Sequence, residues 1–200
     1  MKLTRRSALS LTAAAATAAV AGISHASAAE GDIQNVDALM SVTAVRDRPL
    51  GDPDAPVTVI EYLSPTCPHC ANFHNQTYPV FMERYVDTGK VLFITRPFVR
   101  NVLDAVVFML AEAAGDEAYH DVITTYFKTH GEWASSPTPR DAILAVALQL
   151  GFTEESFEAA LTNQELFQGM EAVREQALEQ FDMTGTPTFD INGKQLSGLQ

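Results

Sequence analysis

The sequence predicts an α/β fold: a parallel strand–helix–strand unit, then a helical block, then a closing hairpin. Three observations carry this. Two apolar runs rich in β-branched and aromatic residues, Val57-Thr58-Val59-Ile60-Glu61-Tyr62-Leu63 and Val91-Leu92-Phe93-Ile94-Thr95-Arg96, are separated by 27 residues, the reach of a crossover helix. From Val102 to Phe181 apolar residues recur at helical spacing. Finally, Gly185-Thr186-Pro187-Thr188-Phe189-Asp190-Ile191 runs into Asn192-Gly193, the pair that two-residue hairpin turns favour.

Taken in order, the chain opens with an export signal. Lys2, Arg5 and Arg6 precede an alanine-rich apolar run from Ala8 to Ile23, and Ser24-His25-Ala26-Ser27-Ala28-Ala29 offers a small-residue cleavage site after Ala28 or Ala29. Arg5-Arg6 is consistent with twin-arginine export, and a Sec signal is the alternative. The run is short and poor in large apolar residues, unlike a membrane span. Residues 1–28 are therefore read as a signal peptide and the mature protein as periplasmic, where disulfides persist. All 25 acidic residues follow the signal, against 10 of the 13 basic ones, so the mature net charge is 10 − 25 = −15. That excludes nucleic acid and anionic lipid as natural partners. A soluble monomer with no cofactor and no metal is expected.

Residues 29–56 read as an irregular N-terminal extension, broken by Pro49, Gly51, Pro53 and Pro56. The domain proper is placed at 57–200. Its first helix runs from about Pro68 to Val86 or Asp87, interrupted at Pro79, which has no backbone donor, and stopped at Thr88-Gly89. In the helical block, Thr138-Pro139 and Thr153-Glu154-Glu155 mark helix starts. The stripes Val102, Ala105, Val106, Met109 and Tyr119, Val122, Ile123, Tyr126 read as core, as does Trp133 in a 131–136 loop.

The chemistry lies in Cys67-Pro68-His69-Cys70, which contains the chain's 2 cysteines and opens the first helix. Residues i and i+3 of a first turn share one face, within reach of a sulfur–sulfur bond. At the helix start, unpaired N–H groups and the dipole favour a thiolate on Cys67, while Cys70 lies one turn deeper. Structural zinc would need His69 and His74 as well, four ligands on one helix start that cannot surround a metal. An inert disulfide closing so small a loop would add little stability. A redox-active dithiol remains.

Glu61 six residues before Cys67, the CPHC site, the helical insertion at about 101–181 and the late Gly-Thr-Pro-Thr-Phe together resemble the DsbA family of thioredoxin-fold proteins. The resemblance implies a thioredoxin fold with a helical domain inserted between the second strand and the cis-proline strand. It implies a disulfide oxidase whose catalytic residues are Cys67, Pro68, His69, Cys70 and Glu61, with His69 helping to hold the Cys67 thiolate and Glu61 assisting proton movement. Thr186 and a cis Pro187 would bind substrate peptide. Reduced exported proteins are the implied substrates, and a quinone-linked, DsbB-like membrane protein the implied re-oxidant. In two respects the chain departs from the family. The C-terminal helix that closes the fold is missing by Gln200, so one sheet face is expected to lack its cover. Thr186 is shared with the isomerase branch, DsbC and DsbG, although their dimerisation domain has no room here. A reductase or isomerase, or a Cu(I)-holding chaperone using both thiolates, are the alternatives.

Overall fold

A computed structural model describes residues 33–41 and 44–198; the export signal lies outside the described residues. The elements, in order, begin with helix α1 (Val36–Met40) and strand β1 (Val57–Leu63). A long helical segment follows, built from α2 (Pro68–Asn72), a π-turn (Phe73–Thr77), α3 (Tyr78–Phe81) and a second π-turn (Met82–Val86). Strand β2 (Val91–Pro97) precedes the helical block: α4 (Val102–Ala114), α5 (Tyr119–Lys128), α6 (His130–Trp133), α7 (Pro139–Gln149), α8 (Glu154–Ala160) and α9 (Gln164–Gln180). Strands β3 (Thr188–Ile191) and β4 (Lys194–Ser197) close the sheet.

The sheet order is β2-β1-β3-β4. β1 and β2 run parallel from Val57↔Val91 to Leu63↔Pro97, and β3 is antiparallel to β1, Tyr62 facing Thr188. This is the thioredoxin arrangement with its helical insertion. Asn192 and Gly193 take positive φ of 50° and 90°, the conformation a primed hairpin turn demands. The third strand starts later than the sequence suggests: Pro187 has no N–H to give to the ladder, though its carbonyl accepts from Gly198 N at 2.9 Å, and the Thr186–Pro187 bond is cis.

Pro79 does not break the long helix, because the π-turn before it absorbs the lost bond: Tyr78 N–H reaches back five residues to the Phe73 carbonyl. Helix α1 falls inside the segment read as irregular; at five residues it is too short for periodicity to reveal. Trp133 sits in α6 rather than in a loop, fully buried, donating through Nε1 to the Tyr126 carbonyl at 2.8 Å. Thr153 caps α8 with Ser156 as its reciprocal partner.

Alternation along the strands sorts the two faces of the sheet. Val59 and Glu61 of β1, Phe93 and Thr95 of β2, and Phe189 and Ile191 of β3 share the face toward the long helix, as their register requires. An apolar cavity of about 200 Å³ lies there between Phe73, Phe81, Phe189 and Leu196. Ile60, Tyr62, Ile94 and Arg96 share the other face, which joins the main core with Leu39 and the helical block. The segment before β1 is tied to the domain. Leu50 and Phe93 exchange backbone bonds of 2.8 and 2.9 Å, and Asp47 takes two bonds from buried Arg96, at 2.8 and 2.6 Å.

Candidate active site

Cys67 is the N-cap of α2, with extended φ/ψ of −80° and 120°, and Pro68 follows at the first helical position. The conformation is dictated locally: proline restricts the residue before it to the extended region and needs no partner for its missing N–H. The sulfur therefore sits at the helix mouth, facing the backbone N–H groups of His69 and Cys70. Both cysteines are free thiols here, Cys70 wholly buried and Cys67 exposed by only 3%.

Their acidities are driven apart. The Cys67 thiol is pushed down to about 4, first by the hydrogen bond from the Cys70 thiol and then, against the cost of burial, by the Thr186 side chain and the N–H groups of Cys70 and His69. Cys70 is pushed up, first by burial, then because it gives its proton toward Cys67, and then by the negative charge of Glu61. One contact works the other way. The protonated Cys67 thiol donates to the Thr186 carbonyl at 3.2 Å, a bond a thiolate cannot make, but the groups favouring the anion outweigh it. The outcome is one nucleophilic sulfur at the mouth and one sheltered thiol behind it.

The other sequence candidates are found close by, with one difference of role. The His69 side chain is exposed, and what His69 supplies to Cys67 is its backbone N–H. Thr186, brought from the far end of the chain by the β1–β3 pairing, lies against Cys67, with Pro187 buried behind it. Glu61 lies under Cys70, fully buried.

Two further residues escaped the sequence reading. His74 holds Glu61, its Nε2 at 3.2 and 2.9 Å from the two carboxylate oxygens, and is stacked between Tyr78 and Phe127 at 4.7 and 4.3 Å. Its spacing was a usable signal: four residues beyond Cys70, it belongs on the same buried helix face. Asp104 is fully buried at the start of α4 and accepts from Ser64 Oγ at 2.9 Å, Thr66 N at 2.7 Å and Arg100 N at 2.8 Å. It thereby fixes the loop that delivers Cys67. In sequence it reads only as an acid in a first helical turn.

The site opens onto a cavity of about 620 Å³ lined by Cys67, Pro68, His69, Phe98, Arg100, Arg174 and Thr186, among others. Among the described residues no cluster of three or more metal-ligating side chains occurs, and no helix is long and apolar enough to cross a membrane.

Comparison with known proteins agrees with this geometry. A family model described as Thioredoxin matches residues 43–200. A Rickettsia bellii protein provisionally named a protein-disulfide oxidoreductase is 31% identical over 153 residues, covering 74% of this chain and 58% of that protein. The chain thus spans a little over half the length of that relative. The crystal structure of Wolbachia pipientis alpha-DsbA1 superposes with a TM-score of 0.74 at 25% identity, over 82% of this chain and 88% of that one. A protein-disulfide isomerase from Novosphingobium aromaticivorans shares the fold, with a TM-score of 0.69 at 24% identity over 77% and 90% of the two chains.

Proposed function

The chain belongs to the thioredoxin family, in its DsbA-like branch, and on that premise we propose that it is an exported thiol:disulfide oxidoreductase that donates a Cys67–Cys70 disulfide to other proteins. The observation that carries the proposal is the split acidity of the two sulfurs, Cys67 down to about 4 and Cys70 raised.

In the donating direction a substrate thiolate attacks Cys67 Sγ of the disulfide. The Cys67–Cys70 bond breaks, a substrate–Cys67 disulfide forms, and Cys70 leaves with the electron pair and takes up a proton. A second substrate thiolate then attacks the substrate sulfur of the mixed disulfide and Cys67 departs as a thiolate. The substrate is oxidised by two electrons and the protein reduced by two. A low Cys67 pKa makes that sulfur a good leaving group and stabilises the reduced form, so the disulfide is oxidising. Buried Cys70 is shielded from substrate, and buried Glu61 stands beside it where its proton is gained or lost. Thr186, with Thr184 and Gly185 before it, walls the site where a substrate peptide would lie beside the sulfur. Return of the disulfide needs an acceptor for two electrons, for which the DsbA resemblance implies a quinone-linked, DsbB-like membrane partner. The basic, apolar and small-residue succession of residues 1–28 supports delivery to the periplasm.

The deciding experiment is equilibration of the Cys67–Cys70 pair with glutathione buffers. The expected potential lies at the oxidising end of the family, on the order of −120 to −180 mV. A value near that of thioredoxin, about −270 mV, would turn the reading to a reductase.

A further inference from the structure

The cavity beside Cys67 is cationic, in a chain whose formal charge is −12. Its lining includes Arg100 and Arg174 and no carboxylate. Among the described arginines, Arg46, Arg48, Arg96 and Arg140 each pair with an acid, whereas Arg84, far from the site on the second π-turn, and Arg100 and Arg174 form no ion pair with another described residue. Arg174 is positioned for a ligand. It projects from α9 with its guanidinium 5.8 Å from the ring of buried Phe98, and its Nε is buried with no hydrogen-bond partner. A buried, unmet donor beside a reactive sulfur costs stability unless an acceptor comes to it. Leu178, four residues on and on the same helix face, adds an apolar wall to the same cavity.

The arginines are not needed to hold the Cys67 anion: the strongest influences that lower its pKa are Cys70, Thr186 and the helix-start N–H groups. Neither charge is committed to the Cys67 anion, and neither has an ion-pair partner among the described residues that would compete with a group entering with the substrate. Resting on the oxidoreductase reading above, we propose that this cavity selects polypeptide thiols carrying a carboxylate within a residue or two of the reactive cysteine, the carboxylate pairing with Arg174 and Arg100. An extended chain advances about 3.3–3.6 Å per residue, so such a carboxylate stays within the cavity while the neighbouring sulfur meets Cys67. Arginine suits this role because its planar fork matches a carboxylate in two bonds.

The test is stopped-flow reduction of the oxidised protein by three peptides that differ only in having Asp, Asn or Lys beside one cysteine, with glutathione as a small anionic thiol. Each rate is divided by that thiol's rate with a small-molecule disulfide, which removes differences in intrinsic thiol reactivity. At low salt the Asp peptide is expected to react about three- to tenfold faster than the Asn peptide, with the advantage shrinking as ionic strength rises. Arg174→Gln should reduce that ratio, Arg174→Lys should keep its sign and Arg174→Glu should invert it. Equal rates for Asp and Asn peptides, or an advantage that survives the double variant Arg100→Gln/Arg174→Gln, overturns the proposal. An arginine-dependent acceleration of glutathione without one for the Asp peptide also overturns it and assigns the cavity to small thiols. Should no thiol exchange at all, the oxidoreductase reading fails on its own account. Titration with a serine-for-cysteine Asp peptide, followed at the Arg174 Nε–H by NMR, then decides the binding claim: a shift absent with the Asn peptide upholds it, and no shift overturns it.

Discussion

His74 places its Nε2 2.9 Å from Glu61 Oε2 with both side chains buried, so the acid beneath the active site has a partner of its own. The pair links β1 to the first π-turn directly behind Cys70. The aromatic faces of Tyr78 and Phe127 fix the ring's plane, and the register Glu61↔Thr95 leaves the carboxylate no cation from the neighbouring strand.

Breaking this pair should be expensive. His74→Phe keeps the aromatic stack but leaves the buried Glu61 carboxyl without its hydrogen-bond partner, and the expected loss is about 1–3 kcal/mol, the range for orphaning a buried polar group. Urea unfolding of the reduced protein measures it. Glu61→Gln should also lower the pKa of Cys70, because a negative charge beside that thiol is removed. Alkylation of Cys70 by a small reagent in a Cys67→Ser background would then move to lower pH. An unchanged profile would show that Glu61 does not act on Cys70.

For Cys67 the expected thiolate midpoint is about 4, read from ultraviolet absorbance of the reduced protein. The Cys70 thiol is the largest stabiliser of this anion, so Cys70→Ala should raise the midpoint more than Cys70→Ser, which keeps a donor. The folded pKa lies below the ordinary thiol value of about 8.5. The stabilisation of the reduced fold is therefore complete above about 8.5, falls away as pH drops, and is gone below about 4. Denaturant midpoints of the reduced protein across that window test the sign.

Thr186→Val removes the side chain that ranks after Cys70 among the groups favouring the Cys67 anion. The Cys67 pKa should rise, the reduced form should lose part of its advantage, and the potential should become less oxidising. Glutathione equilibration of the variant against the parent checks the direction, and an unchanged potential would remove Thr186 from the account.

Arg96 is 1% exposed and holds Asp47, the Leu39 carbonyl at 2.6 Å and the Tyr62 hydroxyl at 3.0 Å. Asp47→Ala leaves that cation without its counter-charge and should cost about 3–5 kcal/mol. Arg46→Ala, whose pair with Asp116 is well exposed and screened by solvent, should leave the melting temperature close to that of the parent. Thermal melts of the two variants provide the contrast.

Much of the fold was legible because its signals are local. β1 begins and ends where its apolar run does, β2 extends one residue further, and Asn192-Gly193 turns as a hairpin pair should. The candidate site was equally plain, since both sulfurs and the helix start that tunes them lie within four consecutive residues. Where signals were short or mixed, the reading missed. α1 is less than two turns long, and Pro79 suggested a break where a π-turn carries the helix through.

By itself, then, the sequence determined the strand–helix–strand frame, the hairpin and the placement of both cysteines in the first turn of a helix. Each of these follows from period or from spacing within a turn. Only the tertiary structure decided which groups surround those sulfurs. His74 meets Glu61 across 13 positions, Asp104 meets Thr66 across 38, and Thr186 meets Cys67 across 119. Arg174 reaches the ring of Phe98 only because α9 packs on the end of β2. Such pairings depend on strand register, on which sheet face a residue occupies and on how helices pack, and no local pattern encodes them. Glu61 and Thr186 could be nominated beforehand by resemblance alone; their partners and the cationic cavity required the folded chain.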